Sequence, residues 1–133
     1  MDYVKIGGTV WDVDVKDVVE TFTILYSDNT GRTISPGAKM TLDPLGTFYG
    51  HRVTFLCKKN RESIYDMFFE YVSVPRRDGI PVEIVHGQKT ISYDAYISTG
   101  ERPVKRINKQ SGKVYWDKLT LNIVPLEAQV KPA

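Results

Sequence analysis

The chain has 133 residues, of which 41% are hydrophobic and 26% charged, with a net charge of +2 and one cysteine. Such a chain is normally a single domain with a core that needs neither metal nor disulfide, and the composition argues against wholesale disorder and, with one cysteine, excludes an internal disulfide. The weak positive charge selects no class of partner, and no run reaches the ~18 apolar residues of a membrane-spanning helix.

In chain order, residues 1–8 hold no apolar core of signal-peptide length, so residence in a cytoplasm, or in an assembly built there, is expected. Val4 and Ile6 share one side of a short alternating segment that ends at the turn-prone pair Gly7-Gly8. Trp11, Val13 and Val15 alternate with Asp12 and Asp14, the pattern of a half-buried strand whose carboxylates face water. Residues 21–26 predict a further strand with Phe22, Ile24 and Tyr26 on one face. The character then changes. Turn clusters at 27–31, 35–37 and 43–46 bound a long segment with little core potential, in which Met40 and Leu42 are expected to pair briefly with a neighbouring strand. Segments of this length either carry function or are tolerated surface excursions.

Residues 49–85 read strand, helix, strand. Val53, Phe55 and Cys57 share one strand face. Over about 60–72, Ile64, Phe68, Tyr71 and Val72 recur at helical spacing, Asn60 is placed to cap the amino end, and Glu62 suits the positive end of the helix dipole. Pro75 and Asp78-Gly79 end the helix before an apolar strand at 81–85. Cys57 reads as a small buried hydrophobe, since a nucleophile needs an exposed position and a histidine partner. His51 and His86 lie in no recognisable catalytic motif.

After a hairpin turn at 86–89, Ile91, Tyr93, Ala95 and Ile97 form one face of a strand. Residues 101–112 are a polar interruption, and a final strand is expected over 114–124, with Leu119, Leu121 and Ile123 opposite Trp116. Pro125 ends it. One domain over 1–126 and a flexible tail over 127–133 follow. The elements sum to an α+β class: a mostly antiparallel β sandwich or partly closed barrel with one flanking α-helix.

No catalytic, metal or cofactor motif is present. Gly7-Gly8 lacks the lysine and threonine of a phosphate loop, and Asp12, Asp14 and Asp17 lack the glycine and glutamate of a calcium loop. The expectation is therefore a non-enzymatic protein with no cofactor, no small-molecule substrate and no membrane contact. Arg102, Lys105, Arg106 and Lys109 form a basic loop within 102–113. Phosphate contacts there would make the chain a nucleic-acid-binding module, against the plainer reading of a solvated loop or a patch meeting an acidic partner.

Several short blocks, in order, carry a resemblance. They are Val4-Lys5-Ile6-Gly7-Gly8, Thr30-Gly31-Arg32, Gly50-His51-Arg52-Val53-Thr54-Phe55, Tyr96-Ile97-Ser98 and the run from Tyr115-Trp116-Asp117 to Ile123-Val124. Together they resemble the small tail proteins of siphophages and prophages of Gram-positive bacteria. The resemblance implies a tail-tube-like fold and a structural virion component (tube, tail-completion or distal-tail module) assembled in the bacterial host cytoplasm. The implied partners are copies of itself in a ring, expected to be a hexamer, and neighbouring tail proteins, with DNA only as a lumen contact. The segment 27–46 is the candidate locking element, with Thr30, Gly31, Arg32, Pro36, Met40 and Leu42 as candidate interface residues. The basic loop is a candidate second contact or lumen surface.

Overall fold

A computed structural model describes residues 4–28, 30–32, 37 and 39–133. The elements are β1 (Val4–Ile6), β2 (Asp14–Tyr26), β3 (Gly31–Arg32), β4 (Met40–Thr41), β5 (Pro44–Leu56), α1 (Glu62–Val72), β6 (Ile80–His86), β7 (Lys89–Glu101), β8 (Val104–Ile107), β9 (Val114–Trp116) and β10 (Leu119–Pro125). Six strands make one sheet in the order β1-β6-β7-β10-β5-β2, every pair antiparallel, while β3–β4 and β8–β9 are separate two-stranded ribbons. Among the described residues, the mostly antiparallel α+β chain with one helix is what forms.

The sheet is strongly curled. His51 Nε2 on β5 lies 3.2 Å from the Val85 carbonyl of β6, although β7 and β10 stand between those strands. Three inter-strand steps would separate them by roughly 14 Å in a flat sheet. All six strands belong to one sheet, whose curl brings β5 towards β6. Among the described residues no backbone ladder joins β1 to β2, so the curl is left unclosed there.

Strand alternation turns Val4 and Ile6, Val53 and Phe55, Val82 and Ile84, and Leu119, Leu121 and Ile123 inward to one core. α1 lays Tyr65, Phe68 and Val72 against it. Phe68 is fully buried, edge-on to Phe55 at 4.8 Å between centroids and 5.3 Å from Trp11. The expected helical face of Ile64, Phe68, Tyr71 and Val72 is rotated: Tyr65 is buried, and Ile64 and Tyr71 are only half-buried. Tyr65 can occupy the core because its hydroxyl donates to the Asp117 carbonyl at 2.6 Å, and burial pushes its pKa up to about 12.

Asn60 is not the helix cap. It adopts a positive φ of 61°, a conformation asparagine tolerates, and Arg61 takes the cap position without a side-chain hydrogen bond. The strand expected at Trp11, Val13 and Val15 begins only at Asp14. Trp11 instead folds over the core from irregular backbone, its indole N–H donating to the Ile6 carbonyl at 3.1 Å. Gly7, with φ of 67°, is required beside it, because a Cβ there would strike the Tyr71 ring.

Val15 and residues 21–26, expected in different strands, both belong to β2. A bulge at Lys16 reconciles their opposite alternation: Val15 pairs with Phe55, Asp17 with Thr54 and Val18 with Val53, so the inward set switches from odd to even numbers. The final strand expected over 114–124 divides at Asp117-Lys118 into β9, which pairs with β8, and β10, which joins the sheet. The polar interruption at 101–112 is thus half of a β-ribbon. Within 127–133, expected to be a flexible tail, Gln129 and Val130 bond to β5: Thr47 N–H donates to the Val130 carbonyl at 2.9 Å, and the Gln129 amide pairs with both the N–H and the carbonyl of Tyr49.

Candidate interaction surface

β2 and β5 pair along almost their whole length, but β10 borders β5 only from His51 to Phe55. Residues 21–26 and 44–50 therefore project past the sheet as a two-stranded arm. Alternation sends Phe22 and Ile24 to one face of the arm and Leu25 to the other. The β5 strand of the arm is partly covered, Tyr49 by His86 on one face and Phe48 beside Tyr96 and Leu126 on the other, but the β2 strand is not: Phe22 is 66% exposed, with Ile24, Leu25 and Tyr26 also exposed, as is Leu45. Single exposed apolar side chains are ordinary, whereas a contiguous strip of them marks a surface that another molecule covers.

The two backbone edges of the arm differ. The β5 edge is filled by Gln129 and Val130 as described above. The outer edge of β2 has no backbone partner among the described residues. An edge strand of 13 residues with apolar side chains is a template for further pairing unless it is blunted. On β2 the blunting devices, the Lys16 bulge and Asp17, sit at the sheet end and not on the arm.

Beyond the arm, the Ser27 hydroxyl bonds the Asp43 carboxylate, Ser27 N–H donates to the Asp43 carbonyl at 2.9 Å, and Asp43 N–H donates to Thr30 Oγ1 at 2.9 Å. This cluster clips the base of the long segment, after which Gly31 pairs with Thr41 and Arg32 with Met40. The brief pairing expected of Met40 is present. Of the candidate interface residues, Thr30 is engaged with Asp43, Gly31, Arg32 and Met40 build the ribbon, Leu42 is 59% exposed, and Pro36 lies outside the described residues. Phe22, Ile24 and Leu25 are not among those candidates, yet they supply much of the apolar surface. Their alternation is legible in the sequence; that they stay exposed is not.

The basic loop does not act as one set. Arg102 turns inward, its side chain 8% exposed, with the guanidinium 4.2 Å from the ring centroids of both Phe69 and Trp116 and 2.8 Å from Asp66 Oδ1. It is a packing residue. Lys105, Arg106 and Lys109 face water, and Arg106 lies 4.2 Å over the Tyr115 ring.

Both histidines meet one carboxylate where the arm leaves the sheet. His51, 2% exposed, shares the inward parity of Val53 and Phe55. Its Nε2 faces two acceptors, Glu20 Oε2 at 3.1 Å and the Val85 carbonyl, so Nε2 carries the proton and Nδ1 accepts from the Tyr93 hydroxyl at 2.7 Å. His86 Nδ1 bonds the same Glu20 oxygen, and Tyr49 packs on the His86 ring at 4.7 Å. Burial holds the His51 imidazole below its ordinary pKa against the pull of Glu20, and burial raises the Tyr93 hydroxyl. A neutral, fully engaged imidazole fastens β2 to the β6–β7 hairpin. Cys57 is half-buried, its thiol raised in pKa by burial and donating to the Lys58 carbonyl. No family model matches the sequence, and no curated protein matches it either.

Proposed function

We propose that the chain is a structural, non-enzymatic subunit of a phage tail that assembles through its arm into closed rings, six copies to a ring, within the virion. The observation that carries this reading is the arm: apolar on both faces, sealed along one backbone edge and open along the other. Such an arm can extend a neighbour's sheet with main-chain hydrogen bonds while its side chains fill apolar surface there. A protruding element that docks on a different part of the next copy makes a head-to-tail contact, the kind that closes into rings or stacks. The sequence blocks resembling siphophage tail proteins supply the tail assignment, and the antiparallel architecture agrees with the fold they imply. The clip of Ser27, Thr30 and Asp43 holds the base of the candidate locking segment, 27–46, against the same arm.

The test is mass by light scattering across a wide concentration range, with the protein alone and mixed with the products of the neighbouring reading frames, beside negative-stain images. Ring-sized species and annular particles are the expected result. A constant monomer mass in every mixture would sink the reading.

A further inference from the structure

We propose that the cleft between the end of β5 and the β8–β9 ribbon binds the phosphate backbone of a single-stranded nucleic acid. Two basic runs far apart in the sequence meet there: Lys58 and Lys59 after β5, and Lys105, Arg106 and Lys113 on and beside the ribbon. The cleft encloses about 600 Å³, and its walls carry five cationic side chains against a single carboxylate, Glu62. In a chain whose net charge is only +2, this is a strong local concentration of one sign.

The cations fall into two groups. Three are held in place: Lys58 by Asp12 at 2.8 Å, Lys113 by Glu62 at 3.2 Å, and Arg106 by stacking on Tyr115. The Arg106 guanidinium has no ion pair among the described residues, so its N–H groups can donate to two oxygens of one phosphate. Lys59 and Lys105 have no ion-pair or hydrogen-bond partner among the described residues, so their charge is uncompensated. The amino end of α1, which begins at Glu62, opens on the same rim and adds its positive dipole.

The distribution of these groups selects the ligand. Cations on three separate segments suit a chain of phosphates better than one isolated anion. The half-buried rings of Tyr115 and Trp116 line the same cleft and offer apolar surface to bases, which an acidic peptide would not use. Arg102, a member of the basic loop by sequence position, is excluded because it is buried between Phe69 and Trp116. The site shares no residue with the arm, so its failure and the failure of the ring reading are separate results.

The experiment is fluorescence anisotropy of a labelled oligothymidylate strand titrated with the full chain at rising salt. Saturable binding is expected, weakening with salt by a slope of about 0.7 per phosphate contact. The exposed pair Lys59→Glu/Lys105→Glu should lose about tenfold or more in affinity and show a shallower slope, while Lys89→Glu/Lys131→Glu, the same charge change away from the cleft, stays within about twofold. Lys59→Gln/Lys105→Gln, a smaller charge change, should give an intermediate loss and serves if the glutamate pair fails to fold by circular dichroism. Flat titrations at low salt, equal losses in the two glutamate pairs, or equal or tighter binding of labelled polyglutamate would each overturn the proposal, the last in favour of an acidic protein partner.

Discussion

β5 passes through two environments, and its two halves show what hydrogen bonding and burial each contribute. From His51 to Phe55 it is flanked by β2 and β10, and Val53 and Phe55 lie under α1 with almost no exposure. From Pro44 to Gly50 the antiparallel pairing with β2 continues, yet Phe22, Ile24 and Leu25 of its partner stay exposed. Backbone pairing alone therefore does not make a core. The first half is held chiefly by apolar area removed from water, which stabilises more than the ladder does. The second half satisfies its backbone while much of the apolar surface beside it stays in water.

The largest expected effect lies in the covered half. Phe68→Ala removes the ring between Phe55 and Trp11 and should cost about 3–5 kcal/mol in denaturant unfolding. A loss below about 1 kcal/mol would mean that the helix is not the lid of this core.

An intermediate effect is expected at the junction. His51 is kept below its ordinary pKa in the fold, so between the folded value and about 6.5 the unfolded chain binds the extra proton. Stability is then full above about 6.5 and falls as the pH drops below it. Asp12, lowered by its hydrogen bond to Lys58, and Glu62, lowered by a backbone hydrogen bond and Lys113, act only in the lower carboxylate range. Thermal midpoints measured through this window should show the loss, and His51→Gln should flatten it. An unchanged slope in that variant would assign the loss to other groups.

The smallest effect on the fold is expected on the arm, where it separates folding from assembly. Phe22→Ser should change unfolding free energy by less than about 0.5 kcal/mol, because a side chain already in water has little burial to lose. The same change should abolish ring-sized species in light scattering. Lost stability with intact assembly would reverse the contrast between the two halves.

Several elements were legible because local rules dictate them. The strand alternation of Val53 with Phe55, the helix ended by Pro75 and Gly79, and the hairpin at 86–89 rest on spacing and turn chemistry, and all three form. The rotation of α1 was less legible: Tyr65 looks polar, and only the Asp117 carbonyl above it makes its burial favourable. The unity of β2 was hidden because the Lys16 bulge interrupts the alternation that marks a strand. The histidine–glutamate junction joins residues 20, 51 and 86, a contact that exists only once the sheet curls.

By itself, the sequence determined the α+β class, the single helix and the polar breaks, since periodicity and turn residues act over a few neighbours. Only the tertiary structure decided which apolar faces stay uncovered, that Arg102 is buried while Lys105 is free, and that Lys59 and Lys105 share one cleft. Exposure and charge clustering depend on which distant segments pack together, and no local pattern encodes that.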